Sequence, residues 1–314
     1  MSNNRIRIID LDKDENDFNP KAIALGNFDG LHRGHMSLMN ETIKISLENE
    51  LVPSVLLFKE NTRELLQQKG DYLTSLTDKI NILVECGIKS FVLVKFDEKF
   101  SSLSRREFIS KFLIERLNVK YIIVGEDYKF GHLAKGNVSY LKENEEYYGY
   151  KTKIVPLKNS DGHKINSTEI KSLIRSGKIK KANERLGRNY SISGTVIKGK
   201  QRGRTLGFPT ANLNTDFNYT LPKNGVYFTK IIIENKSYYG LTDIGNNPTF
   251  ENKEKKIETF IVDFNSDIYA KKITIQFLEF MRNDYEFESA DKLVEQMNKD
   301  LNNVKIMIKS LKNR

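Results

Sequence analysis

Short apolar runs alternate with segments of helical period through the first half of the chain. Four runs are continuous enough to predict strands: Ala22–Leu25, Ser54–Phe58, Phe91–Val94 and Tyr121–Val124. Residues 36–47 and 78–85 lie between them with apolar positions at helical spacing. Apolar strands separated by helices favour a parallel sheet that is covered on both faces. Such sheets bind ligands at the carboxyl ends of their strands, where Gly26 and Gly125 fall.

Helix-ending and capping residues support the predicted helices. Gly87 is placed to end the helix over 78–85. Ser104 and Glu107 have the spacing of a capping box. The box precedes an apolar stripe at Phe108, Phe112, Leu113 and Leu117. In the segment 36–47, Leu38, Met39, Ile43 and Leu47 recur at helical spacing. Residues 153–157 are a candidate for a further strand.

From Ser191 onward the pattern changes to alternating polar and apolar residues that are broken by glycine turns. The predicted strands are 192–197, 226–233, 238–243, 257–264 and 273–280. Strands at this spacing favour an antiparallel barrel or sandwich with one solvated face. A long helix over 290–311, with Ser289 as its N-cap, follows them.

Two predicted helices separate these patterns. The first begins at Ser167 and stops near Gly177, and the second covers 179–186. With 314 residues, the chain is long enough for two cores. We therefore predict one domain over 1–186 and another over 187–314.

The stretch Gly26–His35 carries the first candidate chemistry. It joins a predicted strand to a predicted helix, so its backbone N–H groups and the helix dipole favour a bound phosphate. His32 and His35 are three residues apart, which places both imidazoles at the first helical turn. A turn with two solvated histidines is the alternative interpretation. A zinc site would need a third ligand, and the sequence nearby offers none.

Composition narrows the class of protein without identifying a substrate. Hydrophobic residues make up 39% and charged residues 29% of the chain, as in ordinary globular proteins. Cys86 is the only cysteine, which excludes an intramolecular disulfide and favours a reducing, cytoplasmic setting. Without an apolar run of the ~20 residues that cross a bilayer, no membrane partner is expected. The net charge of +10 permits nucleotides or nucleic acid as partners.

Several motifs together resemble a known family. Gly26 to His35 resembles the opening motif of the nucleotidylyltransferase superfamily, and 125–131, 166–171 and 186–190 are similar to its later motifs. Residues 202–212, read as RGRTLGFPTAN, resemble the flavokinase loop, and 245–250 and 258–264 match later flavokinase motifs. The chain is thereby identified as a member of the prokaryotic bifunctional riboflavin kinase/FAD synthetase family.

This resemblance implies a fold and two activities. The fold would be an N-terminal α/β nucleotidylyltransferase domain with a Rossmann-like parallel sheet, followed by an antiparallel β-barrel of riboflavin kinase type. The barrel would phosphorylate riboflavin to FMN, and the N-terminal domain would transfer AMP from ATP to FMN, giving FAD. Mg²⁺ would accompany ATP, and the expected partners are ATP, riboflavin, FMN and FAD.

The same resemblance assigns roles to individual residues. Catalysis is implied for Glu258, His32 and His35. Binding of ATP or its phosphates is implied for Gly26, Phe28, Asp29, Gly34, Arg63, Asp127, Ser167, Thr168, Lys171, Gly199, Gly203 and Gly207. A flavin contact is implied for Arg282, and metal binding for Thr210 and Asn212.

Departures from the family pattern lie mainly in the first domain. The family usually has Phe-x-Pro-His-Pro where this chain reads FKENTR over 58–63, so Arg63 remains without the prolines and histidine. Asn166 and Lys171 replace a serine and an arginine, and lysine lacks the two-pronged fork of arginine. One alternative is a riboflavin kinase with a weakened adenylyltransferase domain. Another is a flavin-responsive RNA-binding regulator, although no basic and aromatic cluster suggests specific nucleic-acid binding.

Overall fold

The computed structural model describes residues 6–13, 15–59, 70–156, 164–199, 203, 206–246 and 255–312. Two compact units emerge from the packing, here called the N-terminal unit (1–70 and 74–167) and the barrel unit (71–73 and 168–314). The two helices that precede Gly187 thus group with the barrel. The predicted domain boundary at 186/187 stays a prediction. Within the described ranges, no helix is long and apolar enough to span a membrane.

A parallel sheet forms the centre of the N-terminal unit. Its strands are β1 (Arg7–Asp10), β2 (Lys21–Ala24), β3 (Val52–Phe58), β4 (Ser90–Val94), β5 (Val119–Gly125) and β8 (Lys151–Val155). Their order is β1-β4-β3-β2-β5-β8, with every neighbouring pair parallel. A separate antiparallel pair consists of β6 (Lys129–Phe130) and β7 (Gly136–Asn137). The prediction of a parallel sheet is confirmed, whereas the sequence pattern missed β1.

Helices cover both faces of this sheet, as predicted. They are α1 (Arg33–Glu48), α2 (Leu76–Cys86), α3 (Glu98–Ser101), α4 (Arg105–Glu107), α5 (Val138–Glu143) and α6 (Glu145–Tyr148). Gly87 ends α2 in the left-handed conformation, and Ser104 and Glu107 form the predicted capping box. Beyond α4 the chain continues as a π-helix over Phe108–Arg116.

The predicted helix over 36–47 lies within α1, but its apolar positions are not all buried. Leu38 and Met39 are buried, but Leu47 is 79% exposed. A helix turns by about 100° per residue, so nine residues bring Leu47 to the side opposite Leu38. The buried face of α1 therefore includes Leu38 and Met39 but does not extend to Leu47 near the end of the helix.

Lys21, at the start of β2, is fully buried and binds three backbone carbonyls from two stretches of the chain. Its ammonium donates hydrogen bonds to the carbonyls of Asp17 and Asn19, both at 2.7 Å, and to that of Leu117. Burial lowers the pKa of Lys21 to about 8, although the nearby Asp17 carboxylate opposes this change. Lys21 thus holds the backbone that precedes β2 against the start of β5.

We expect Lys21→Ala to destabilise the N-terminal unit by about 3–5 kcal/mol, because it leaves buried carbonyls without their donor and removes the ion pair with Asp17. Hydrogen exchange followed by mass spectrometry should show protection lost in peptides that span 17–25 and 117–125. Barrel peptides serve as the internal control. Lys21→Met, which keeps most of the side-chain volume, separates the lost hydrogen bonds from the cavity. Protection within tenfold of the wild type in Lys21→Ala would contradict this role.

The strands of the barrel unit are β9 (Tyr190–Ile197), β10 (Thr210–Asn214), β11 (Gly225–Ile233), β12 (Lys236–Asn246), β13 (Lys255–Ile261) and β14 (Lys272–Arg282). They close into an antiparallel barrel in the order β10-β13-β12-β11-β14-β9. Of the two predicted architectures, the structure therefore shows the barrel and not the sandwich. Strand β10, which contains Thr210 and Asn212, was not among the strands predicted from the sequence.

In the described part of the barrel unit, the helices are α7 (Ser167–Arg175), α8 (Ile179–Leu186) and α9 (Ala290–Lys312). The backbone N–H of Lys292 donates to the Ser289 hydroxyl at 3.3 Å, which confirms the predicted N-cap of α9. Val304 of α9 is buried against the outer face of the barrel, beside Val226, Phe228 and Leu241. Helix α9 therefore packs against the outward-facing side chains of β11 and β12.

Candidate active sites

The turn after β2 builds one side of a cleft in the N-terminal unit. Phe28 and Leu31 adopt positive φ angles of 37° and 42°, and Gly30 has a φ of 84°. A Cβ added at Gly26 would stand 3.0 Å from the Phe28 ring, so glycine lets the ring pack closely against this backbone. Strained backbone of this kind persists where the surrounding structure holds it, and it is frequent at ligand sites.

His32 and His35 lie together at the start of α1. The His32 side chain caps the helix, because its Nδ1 accepts a hydrogen bond from the His35 backbone N–H at 3.4 Å. The two imidazole rings stack at a centroid distance of 3.7 Å, and Phe28 packs edge-on against His35 at 5.3 Å. His32 is buried and Gly34 follows it in the first turn, also buried. Both imidazoles are thus fixed at a helix N-terminus, where anions bind favourably.

Other predicted residues of the N-terminal unit border the same cleft. The Ser167 hydroxyl donates to the Asp29 carbonyl at 2.9 Å, which ties the turn to residue 167. Asp127 follows the end of β5, lines the cleft and forms an ion pair with Lys164. Gly26 and Gly125 both line it as well. Arg63 lies outside the described residues.

An aromatic wall of this cleft was not predicted from the sequence. The cleft has a volume of about 870 Å³, and its aromatic lining consists of Phe28, Phe58, Phe96, Phe100, Phe108, Tyr128 and Phe130. Phe58 ends β3 and contacts Phe96 edge-on at 5.3 Å. The sequence did contain a signal for this wall: several phenylalanines stand next to the carboxyl ends of predicted parallel strands. Those ends meet at one edge of the sheet.

Thr168 and Lys171 belong to the barrel unit. Thr168 is exposed. Lys171 is buried, and its ammonium donates to the Asp71 carbonyl at 2.6 Å and lies 5.0 Å from the centre of the Tyr72 ring. This ammonium therefore contacts groups of its own unit, and phosphate binding by Lys171 stays a prediction.

The barrel brings the predicted metal and base residues together. Asn212 of β10 lies directly opposite Glu258 of β13, and Thr210 lies opposite Phe260. Residues opposed in this way share one face, with Cβ atoms ~4.5–5.5 Å apart. The Glu258 carboxylate forms an ion pair of 2.5 Å with Lys256. Thr210 also lines a pocket of about 400 Å³ with Pro209, Ala211 and Thr259.

Three glycines shape the backbone beside these residues. A Cβ at Gly199 would overlap the Asn212 amide, and a Cβ at Gly203 would overlap the Phe208 carbonyl. Gly207 has a φ of 82°, which other residues rarely adopt. All three predicted glycines thus lie at close contacts or in a backbone conformation that favours glycine.

Arg282 is held at the end of β14. Its guanidinium donates from Nε and Nη2 to the same oxygen of the buried Asp300 in α9, each at 2.9 Å, and lies 5.0 Å from the centre of the Tyr285 ring. Gln296 donates to the other Asp300 oxygen at 2.9 Å. Arg282 is therefore positioned by the C-terminal helix.

Comparison with known proteins identifies a family for each half of the chain. A FAD synthetase family model matches residues 14–169, and a riboflavin kinase model matches residues 186–308. A bifunctional riboflavin kinase/FMN adenylyltransferase from Buchnera aphidicola subsp. Schizaphis graminum is 39% identical over 290 residues, which cover 90% of this chain and 93% of that protein. The chain belongs to the bifunctional riboflavin kinase/FMN adenylyltransferase family. The protein of the same description from Bacillus subtilis is 35% identical over 285 residues, covering 89% and 90% of the two chains.

A solved structure shares this family's two-unit fold along nearly the whole chain. It is described as a macrolide-efflux protein from Streptococcus pneumoniae, has 32% sequence identity and a TM-score of 0.86, and covers 96% of this chain and 99% of its own. That description concerns the other protein. As a member of the riboflavin kinase/FMN adenylyltransferase family, this chain is an enzyme, and both of its activities use ATP.

We expect Gly199→Ala to lower the rate of FMN formation about tenfold, which corresponds to ~1.4 kcal/mol. The new methyl group would displace the flexible Asn212 amide rather than backbone, so the free energy of unfolding should change little. Steady-state kinetics and thermal unfolding check the two halves of this prediction. Conversion of FMN to FAD by the same preparation is the control. Unchanged kinase activity would show that the Asn212 position is not needed.

Proposed function

We propose that the barrel unit transfers the γ-phosphoryl group of ATP to the 5′-hydroxyl of riboflavin, giving FMN and ADP. Glu258 accepts the hydroxyl proton as the riboflavin oxygen attacks phosphorus and the bond to the β-phosphate oxygen breaks. The observation that carries this proposal is the register of β10 against β13, which sets Asn212 opposite Glu258. A base for the riboflavin hydroxyl and an oxygen ligand for the metal thereby lie on neighbouring strands. A kinase needs this closeness, because the hydroxyl must reach the γ-phosphate of the nucleotide that the metal holds.

Mg²⁺ bound to ATP fits the residues next to this base. The Thr210 hydroxyl and the Asn212 amide offer neutral oxygen ligands, and Mg²⁺ in kinases needs few protein oxygens because phosphates and water supply the others. When bound, the ion neutralises charge on the phosphates. Gly199, Gly203 and Gly207 leave room for backbone to approach the phosphate groups.

The N-terminal unit transfers AMP from ATP to FMN in this proposal. The phosphate oxygen of FMN attacks the α-phosphorus, the bond to the β-phosphate breaks, and pyrophosphate leaves. This nucleophile carries no proton at neutral pH, so positioning and charge stabilisation dominate. His32, His35 and the N-terminus of α1 bind the phosphates, and the aromatic wall receives the flavin ring.

A kinase with a weakened adenylyltransferase unit is the second candidate. Lys59, in the altered stretch after β3, forms ion pairs with Asp10 at 2.5 Å and Asp12 at 2.7 Å. Lys171 is bound to the Asp71 carbonyl. Among the described residues, Lys59 and Lys171 near the altered motifs therefore already contact protein groups, which favours a slower second step.

Incubation of the purified chain with riboflavin, ATP and Mg²⁺, followed by separation of the flavins, tests both halves. FMN and FAD should both accumulate. FMN without FAD would support the second candidate, and a lack of FMN would reject the kinase assignment. A cytoplasmic location and the lack of specific nucleic-acid binding stay predictions.

A further inference from the structure

One row of opposed residues crosses five strands of the barrel. Asn212 is opposite Glu258, Glu258 is opposite Asp243, and Asp243 is opposite Val226, which in turn is opposite Arg282. Opposed residues on neighbouring strands share a face of the sheet. Asp243 therefore lies one strand, ~4.8 Å, from the proposed base, on the side toward Arg282.

The Asp243 carboxylate has an acceptor that the barrel does not use. Its Oδ1 is buried and accepts no hydrogen bond within the described part of the chain. The charged groups that face it are Asp284, Glu258, Lys256 and Arg282. Lys256 pairs with Glu258 and Arg282 pairs with Asp300, so neither cation satisfies this oxygen. Burial, followed by repulsion from Asp284 and Glu258, raises the pKa of Asp243 to about 6.

Buried acceptors without a donor are rare in native proteins, and a donor from outside the chain is one explanation for them. Riboflavin offers suitable donors, because its ribityl chain carries hydroxyl groups between the 5′-hydroxyl and the ring. With the 5′-hydroxyl at Glu258 and the ring toward Arg282, this chain passes Asp243. We propose that Asp243 accepts a hydrogen bond from an inner ribityl hydroxyl and so selects flavins that carry the polyol chain. This inference rests on the proposed kinase function of the barrel.

Kinase kinetics on the full chain test this inference, since FMN formation reports the barrel site alone. The measured quantities are kcat and KM for riboflavin and the inhibition constant of lumiflavin, which has the ring without the ribityl chain. Asp243→Leu should raise the KM for riboflavin about 10- to 100-fold, the range for a hydrogen bond to a charged group. Because lumiflavin has no ribityl hydroxyl, its inhibition constant should stay within twofold.

Two further variants make the result specific. Asp243→Asn keeps an acceptor oxygen without the charge, so its KM should rise about 3- to 10-fold, which also tests the inference if the leucine variant does not fold. Asp284→Asn removes a neighbouring carboxylate outside the row and should leave KM within twofold.

Three results would overturn the inference: an unchanged KM in Asp243→Leu, a parallel rise in the lumiflavin constant, or a lower kcat at constant KM. The last would indicate proton sharing with Glu258. A wild-type chain that forms no FMN would reject the kinase proposal together with this inference, whereas an active wild type with unchanged Asp243 variants rejects the inference alone.

Discussion

Glu258→Ala should lower the rate of FMN formation by about 10²- to 10⁴-fold, the usual contribution of a general base. The loss should appear in kcat, because the carboxylate acts on the riboflavin hydroxyl as the new bond forms. The supporting geometry is local. Asn212 is opposite Glu258 across β10 and β13, and Lys256 holds the carboxylate at 2.5 Å.

The control for this prediction is another carboxylate of the same barrel. Glu279 on β14 forms an ion pair of 2.6 Å with Lys180 and lies away from Asn212 in the strand register. Glu279→Ala should keep FMN formation within about twofold, as expected of an ordinary surface ion pair. Conversion of added FMN to FAD should survive in Glu258→Ala. Loss of both activities would contradict the assignment of separate sites.

His32→Asn and His35→Asn should each lower FAD formation from FMN by about 10²- to 10³-fold, the effect of removing one donor to charge that develops in a transition state. Asparagine at position 32 can still cap α1, so the helix start should be kept. The stacked rings, 3.7 Å apart, place both imidazoles at the same helix N-terminus. Their loss should therefore affect phosphate binding and transfer rather than the fold.

Ser37→Ala is the matched control on α1. The Ser37 hydroxyl is exposed and donates only to the Arg33 carbonyl within its own helix, at 3.1 Å. FAD formation should stay within twofold in this variant, and FMN formation should be unchanged in both histidine variants. Coupled assays with riboflavin and with FMN as substrate measure the two steps separately. If the rate of FAD formation fell less than about fivefold in both histidine variants, the proposal that the imidazoles take part in catalysis would be wrong.

Local signals in the sequence predicted the regular elements well, because the physics that sets them is local. The capping box of Ser104 and Glu107, the glycine that ends α2 and the N-cap Ser289 each act within one helical turn. Strands β1 and β10 escaped prediction. Each is short, β1 follows no clear alternation, and β10 is set by its pairing with β9 and β13.

The candidate sites divide in the same way. Gly26–His35 was found from residue type and spacing, since phosphate binding favours glycines and imidazoles at a helix N-terminus. Residues 202–212 were found from their resemblance to the flavokinase loop. Neither the aromatic wall of the cleft nor Asp243 could be found in this way. The wall is assembled from the ends of several strands and from the π-helix, and the role of Asp243 depends on a strand register.

The amino-acid sequence alone therefore determined the parallel and antiparallel halves of the chain, its family and the residue types of both sites. The tertiary structure decided the closure of the barrel, the placement of Asn212, Glu258, Asp243 and Arg282 in one row, and the contacts of Lys171 within its own unit. The physical reason is the distance along the sequence over which each kind of interaction acts. Propensity, capping and turn chemistry act between neighbours in sequence, whereas register, burial and charge pairing arise only when distant segments pack.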